Sequence, residues 1–193
     1  ITGALRSLIE TTADASKMRL RRYNDGVFKV DMFPDAVGTE DGLMKISIVM
    51  EKKGDSVYLD FTDSSPEVPD HPCNSNWIGV VGCCCVYLCG YLFPDLPSNG
   101  GLLASIHWKV PENSTINPSP ECPTAQSPII QSTCERGVAY LFAKMIFSED
   151  MNRSAAPGWC GFNMPYYGGL NQWGEPIADI TADLNGCGYG AGQ

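Results

Sequence analysis

The side chains in this chain best suited to acid–base or metal chemistry are two histidines, His71 and His107, and an acidic run made of Asp60, Asp63, Glu67 and Asp70. Carboxylates close to an imidazole can hold a hard cation or share a proton. Their spacing matches neither an HExxH helix nor an EF-hand loop, and a solvated turn accounts for the same residues. His107 lies in a strand-like run between apolar neighbours, where a hydrogen-bonded core or interface imidazole is the simpler reading. Nine cysteines form the other reactive set, five of them (Cys73, Cys83, Cys84, Cys85, Cys89) within seventeen residues. They include no CxxC pair. Cys85 and Cys89 share a helix face, but zinc or iron–sulfur ligation needs two further ligands at matching positions. Cys122 and Cys160 have no nearby histidine to make a thiolate. The glycines of GCGYGAG (186–192) suggest an anion nest, yet no helix pattern follows them as a dinucleotide fingerprint requires; a tight turn against a neighbouring subunit or domain is expected. No GxSxG or phosphate-binding P-loop occurs.

A length of 193 residues fits one domain with a sizeable core. The net charge of −9 argues against nucleic acid or an anionic membrane as partner, since both reward a basic face. The basic cluster Lys17, Arg19, Arg21 and Arg22 reads as a solvated helix C-terminus, with a phosphate contact as the sharper alternative. No secretory leader pattern precedes the cysteines, so reduced, buried thiols and a cytoplasmic protein are expected. The chain opens at Ile1 already in helical pattern and stops at Gln193 after the glycine run, which suggests an internal piece of something longer.

The elements that must position these groups follow from periodicity. Leu5, Leu8, Ile9 and Met18 predict an amphipathic helix over residues 1–22. Val27–Phe33 alternates, and Leu43–Lys52 and Ser56–Thr62 predict a β-hairpin about Lys53-Gly54-Asp55. Trp77–Phe93 carries no charge; its Asn-rich entry and Pro94 exit predict a buried central helix capped by Asn76 or Ser75, with Gly79, Gly82, Cys83 and Gly90 allowing close backbone approach. Half of the 14 prolines fall within Pro94–Pro128, a stretch of asparagines and turns around one short strand, Ser105–Val110. Gln131–Phe147 predicts a second helix, with Val138, Leu141, Phe142, Met145 and Ile146 on one face. The glycine- and aromatic-rich tail, with a strand at Ile177–Leu184, suggests a large buried interface and an unstable isolated segment. The expected class is α+β: antiparallel sheet elements packed on a buried central helix and a second amphipathic helix, forming a single domain or internal segment over residues 1–193.

Several segments, in order, resemble one family. Asp60–Pro66 (DFTDSSP) is similar to the Asp-Phe-Thr-Gly-Ser-Ser-Pro signature of the hydantoinase B, oxoprolinase and acetone carboxylase α-subunit family. Asn74, then Leu96–Asn99 (LPSN), Val110-Pro111-Glu112 and Ile116–Pro120 (INPSP) resemble its Asn, Pro, Pro-Glu-Gly and Asn-Pro positions. Val138–Phe147 and Asn171–Asp179 (NQWGEPIAD) resemble the acetone and acetophenone carboxylase branch more than the cyclic-amide hydrolases. Asp63 replaces the signature's glycine, Asn113 replaces that of Pro-Glu-Gly, and Cys122-Pro123-Thr124 replaces Pro-Ala-Ala. The resemblance implies an α-type subunit of an ATP-dependent ketone carboxylase, with ATP on a hydantoinase A-like partner and a further small subunit. It also implies a divalent metal, Mn or Zn, on a part of the subunit outside these residues. The alternatives are an ATP-dependent cyclic amide hydrolase of the hydantoinase or oxoprolinase type, and a non-catalytic scaffold. Catalytic residues stay unassigned; Asn74, Asn99, Asn117 and Gln172 are the candidates for a substrate-cavity wall, with capping of turns as their alternative role.

Overall fold

The computed structural model describes residues 2–34, 42–153 and 166–180. The hairpin forms where Lys53-Gly54-Asp55 predicts it: β2 (Ile46–Lys53) and β3 (Ser56–Asp60) pair antiparallel, with Lys53 opposite Ser56. Gly54 takes φ +60°, the left-handed conformation that a two-residue hairpin turn demands. β1 (Gly26–Met32) pairs antiparallel with the other side of β2. β4 (Ile106–Lys109) completes the order β1-β2-β3-β4, but runs parallel to β3. The sheet is therefore mixed: β1 to β3 are the expected antiparallel elements, and β4 is added parallel. Parallel neighbours need a long crossover, and the chain between β3 and β4, which contains α2 (Trp77–Tyr87), supplies one.

Alternation along β2 turns Ile46, Ile48, Met50 and Lys52 inward and leaves Glu51 and Lys53 outside. Inward-facing Lys52 is buried, and its ammonium donates to the Tyr23 carbonyl and to Asp25 Oδ1, the latter at 2.8 Å. On the inner face lies α3 (Ser127–Glu149), which buries Val138, Leu141, Phe142 and Met145 as its periodicity predicts. It starts earlier than the apolar pattern, because Pro128 sits in its first turn, where a missing N–H costs nothing. At the outer end of the sheet Lys144 of α3 donates to the Lys29 carbonyl of edge strand β1 at 2.8 Å.

Asn76 caps α2 by accepting from the Gly79 N–H at 2.8 Å. The helix packs on α3 through its buried residues Val80 and Cys84. It ends sooner than the predicted Trp77–Phe93, passing into a π turn (Leu88–Leu92) closed by Phe93 N–H on the Leu88 carbonyl. α1 (Thr2–Leu20) rests on a 3₁₀ turn (Gly100–Leu103) and its cap through Thr12 and Ser16 and buries Leu20 in the core, while residues 2–11 are all exposed. Its C-terminal cations have partners: Arg19 forks onto Asp95 at 2.5 and 2.6 Å, and Arg21 reaches Asp55. The predicted tail strand appears as β6 (Pro176–Ile180), paired with β5 (Tyr166–Leu170). Residues 181–184 and the GCGYGAG run lie outside the described residues.

Candidate functional site

Two motif-like segments leave the sheet side by side. β3 runs into DFTDSSP at Asp60, β4 runs into Val110-Pro111-Glu112 just after Lys109, and the parallel register sets Asp60 directly opposite Lys109 and Tyr58 opposite His107. Lys109 Nζ donates to Asp60 Oδ2 at 2.9 Å, and Asp60 Oδ1 accepts from the Thr62 N–H and hydroxyl at 2.8 and 2.5 Å. The Tyr58 and His107 rings stack with centroids 4.7 Å apart, 21° between planes. With Val49 and Glu51 of β2 these residues line a shallow depression of about 260 Å3 on the outer sheet face. It offers a flat aromatic floor, an ammonium and two carboxylates: groups that bind and orient a ligand, with no Ser, Thr or Cys among its lining.

Burial pushes the Asp60 carboxyl up, but the bonds from Thr62 and Lys109 outweigh it and hold the group below its ordinary value. A carboxylate lowered in the folded state stabilises above its unfolded value, and that contribution is lost as pH falls through the folded one. Asp60→Asn should therefore be less stable than the parent near neutrality, with the gap closing below about pH 4. Urea midpoints across that range check this, and a pH-independent gap would contradict the ion pair.

Beyond the depression the two loops are laced together. Thr115 N–H bonds the Ser65 carbonyl, Ser75 N–H the Thr115 carbonyl, Glu67 N–H the Asn113 carbonyl, and Gln126 N–H the Pro72 carbonyl. The Glu67 carboxylate accepts from the Ser119 N–H at 2.6 Å and its hydroxyl at 3.1 Å. Buried Asn74 is the central rivet. Its Oδ1 accepts from Val68 N–H, and its amide nitrogen lies within 2.7, 3.2 and 3.0 Å of the Val68, His71 and Pro123 carbonyls. Asn117 stands half-buried in the same layer, its backbone exchanging bonds with Ser114. Asn99 lies elsewhere: it caps the 3₁₀ turn by accepting from Gly101 N–H and donates to Thr12 Oγ1 of α1 at 3.0 Å. Gln172 is exposed in the β5–β6 turn, which Asn171 closes by accepting from the Trp173 and Glu175 N–H groups. So Asn74 and Asn117 share one layer, while Asn99 and Gln172 sit on separate elements.

Asn113 has φ 53°, alone among the described non-glycine residues in the left-handed region. It stands where the resembling motif carries glycine, and asparagine is among the residues that tolerate that conformation best. Asn113→Gly should be neutral or gain up to about 0.5 kcal/mol, and Asn113→Val should lose about 1–2 kcal/mol, read from denaturant midpoints. Asp63, at the signature's other missing glycine, has no such backbone requirement.

The remaining reactive candidates are used structurally. Glu67 serves Ser119 and Asp60 serves Lys109, so the acidic run does not gather around His71. Among the described residues no group of three His, Cys, Asp or Glu could hold a metal ion, and a resident metal does not fit them. Burial pushes the Cys84 and Cys134 thiols far up, and Cys73, Cys83 and Cys85 in the same direction, which keeps them protonated. Cys160 lies outside the described residues. No helix of the described residues is long and apolar enough to cross a membrane. The depression is not legible in the sequence: Tyr58 and Asp60 share one parity and His107 and Lys109 another, a readable signal, but their pairing is not.

The mixed sheet backed by α3, on which α2 packs in turn, with laced motif loops at one end, is a fold shared with known proteins. The chain belongs to the Hydantoinase B/oxoprolinase family, whose profile matches residues 1–193. It is 31% identical over 194 residues to the acetophenone carboxylase delta subunit of Aromatoleum aromaticum, a match covering 99% of this chain and 28% of that one. In fold it is similar to acetone carboxylase in its nucleotide-free structure (TM-score 0.76, 17% identity), covering 93% of this chain and 26% of that one. It is also similar to the ATP-dependent caprolactamase from Pseudomonas jessenii (TM-score 0.64, 16% identity), covering 92% and 34%. The chain thus spans little more than a quarter of the length of the curated relative it matches.

Proposed function

We propose that this chain is a segment of the α-type, hydantoinase B-like subunit of a cytoplasmic, ATP-dependent ketone carboxylase, which joins bicarbonate-derived carboxylate to a methyl ketone such as acetophenone or acetone. The observation that carries this reading is the 31% identity, over 99% of the chain, to a subunit of acetophenone carboxylase. In this reading a hydantoinase A-like partner uses ATP to activate the ketone enol and bicarbonate, a further small subunit completes the assembly, and any Mn or Zn ion sits outside these residues. The segment alone would be inactive.

Carboxylating an enolate needs a dry site with positioned anions and donors for the growing carboxylate. The role assigned to this chain is wall and positioning. Asn74 and Asn99 shape the wall by fixing the loops their amides bind, and Asn117 and Gln172 are the polar groups left to face a substrate oxygen. The likeness to a caprolactamase favours a second reading, ATP-dependent opening of a cyclic amide.

The test uses the complete assembly containing this chain, supplied with ATP, labelled bicarbonate and a methyl ketone. Label should appear in a β-keto acid, reduced with borohydride to the stable hydroxy acid before acidification drives off bicarbonate, only when ATP is present. Lactam cleavage with no ketone carboxylation would overturn the reading in favour of the second, and neither activity would point to a non-catalytic scaffold.

A further inference from the structure

The outer side of α2 and its π turn is an apolar face that the described residues do not cover. Val80 and Cys84 are spent on α3 and Leu88 is buried in the core, while Ile78, Val86 and Tyr91 on the other side are 69%, 63% and 64% exposed. Trp77 and Ile78 open the stripe, and Tyr91, stacked on Tyr87 with centroids 5.0 Å apart, closes it. From Trp77 to Phe93 there is no charged residue. A helix apolar on every side is normally covered on every side.

The glycines of this face add a separate observation. Glycine inside a helix costs about 1 kcal/mol relative to alanine, so it persists where something needs the space. Gly79 has its reason within the fold, since a Cβ there would meet Gln131 Nε2 at 2.3 Å. Gly82 and Gly90 have none: a Cβ at either would meet nothing within 4 Å. No described residue requires either of them.

We propose that this face is the seat of a second segment of hydantoinase B-type polypeptide, lying outside these 193 residues, which lays an uncharged surface across Gly82 and Gly90. The occupant is chosen by length: the match covers 28% of the carboxylase subunit and 26% of the acetone carboxylase chain, so most of each relative's polypeptide is available to cover what this part leaves open. The lack of charge fits it, because an ionic group brought against this stripe would be buried without a partner. The inference rests on family membership and not on the carboxylase reading.

The test is co-expression of this chain with the part of the Aromatoleum aromaticum delta subunit that it does not match, as separate polypeptides, followed by affinity measurement. The parent should bind. Gly82→Leu and Val86→Glu should each weaken binding at least about tenfold, while the variants alone melt no lower than the parent, Gly82→Leu somewhat higher. Absence of a complex with the parent, or undiminished binding by both variants, would overturn the proposal. So would a parent homodimer that Val86→Glu dissociates, since the occupant would then be a second copy. Unfolding of the isolated Val86→Glu chain would also overturn it, by showing that the face is used within this fold.

Discussion

Replacing Asn74 by alanine is expected to cost about 3 kcal/mol of folding stability, because it strips partners from a buried N–H and three carbonyls at once. The side chain is fully buried, and its four contacts join the 66–76 loop to Pro123 in the next loop. Asn74→Asp is the more telling variant. It keeps an acceptor for Val68 N–H but points a carboxylate oxygen at three carbonyl oxygens, so the carboxyl resists ionisation and its folded value rises. A group raised in this way stabilises below its unfolded value, near about 3.9, and loses that contribution as pH rises. Asn74→Asp should therefore recover stability on acidification, whereas Asn74→Ala should show no recovery of its own. Urea unfolding near neutrality and again in acid separates the two; equal, pH-independent losses would mean that Asn74 only fills space.

Gly101→Ala should be nearly as damaging, by a different route. A Cβ at Gly101 would come within 2.3 Å of the Ile9 carbonyl oxygen and 2.8 Å of the Ala13 nitrogen. Both are backbone atoms of α1, so neither can turn aside, and the helix must lift from the 3₁₀ turn. Overpacking against atoms that cannot yield costs about 1–3 kcal/mol, and the upper end is expected here. The lifting also breaks the Asn99–Thr12 bond, so limited proteolysis should find new cuts in α1. Asn99→Ala, which removes the cap without the clash, should lose only about 1 kcal/mol and leave α1 seated. An unchanged melting curve and digestion pattern for Gly101→Ala would show that the helix does not depend on this contact.

Local signals were the readable part of the fold. Lys53-Gly54-Asp55 named its hairpin because a short turn with left-handed φ leaves a residue-type mark, and Ser75-Asn76 marked the start of α2 because a helix N-terminus wants a side-chain acceptor, a role Asn76 fills. Periodicity placed α3 on the core. The parallel pairing of β4 with β3 left no comparable mark: alternation shows which side chains share a face, not which strand they lie beside. The depression was hidden for that reason, since Asp60 meets Lys109 and Tyr58 meets His107 only through that register. For Asn74 and Asn99 the sequence told that they lie in turns rich in proline and glycine, but the direction of an amide depends on loops brought together from far along the chain. The exposed side of α2 was obscured by the opposite problem, because uniform apolarity shows that a helix wants cover and not whether the cover lies in the same segment.

The Lys144 ammonium over the Lys29 carbonyl gives the sheet a finished border. A bare edge strand is a template on which another chain can crystallise its own backbone, and a cation parked on one of its acceptors spoils the template. Whatever assembles with this chain is thereby steered away from strand addition at β1. A preparation in which Lys144 is chemically neutralised should drift toward fibrillar or amorphous precipitate while its thermal unfolding barely moves.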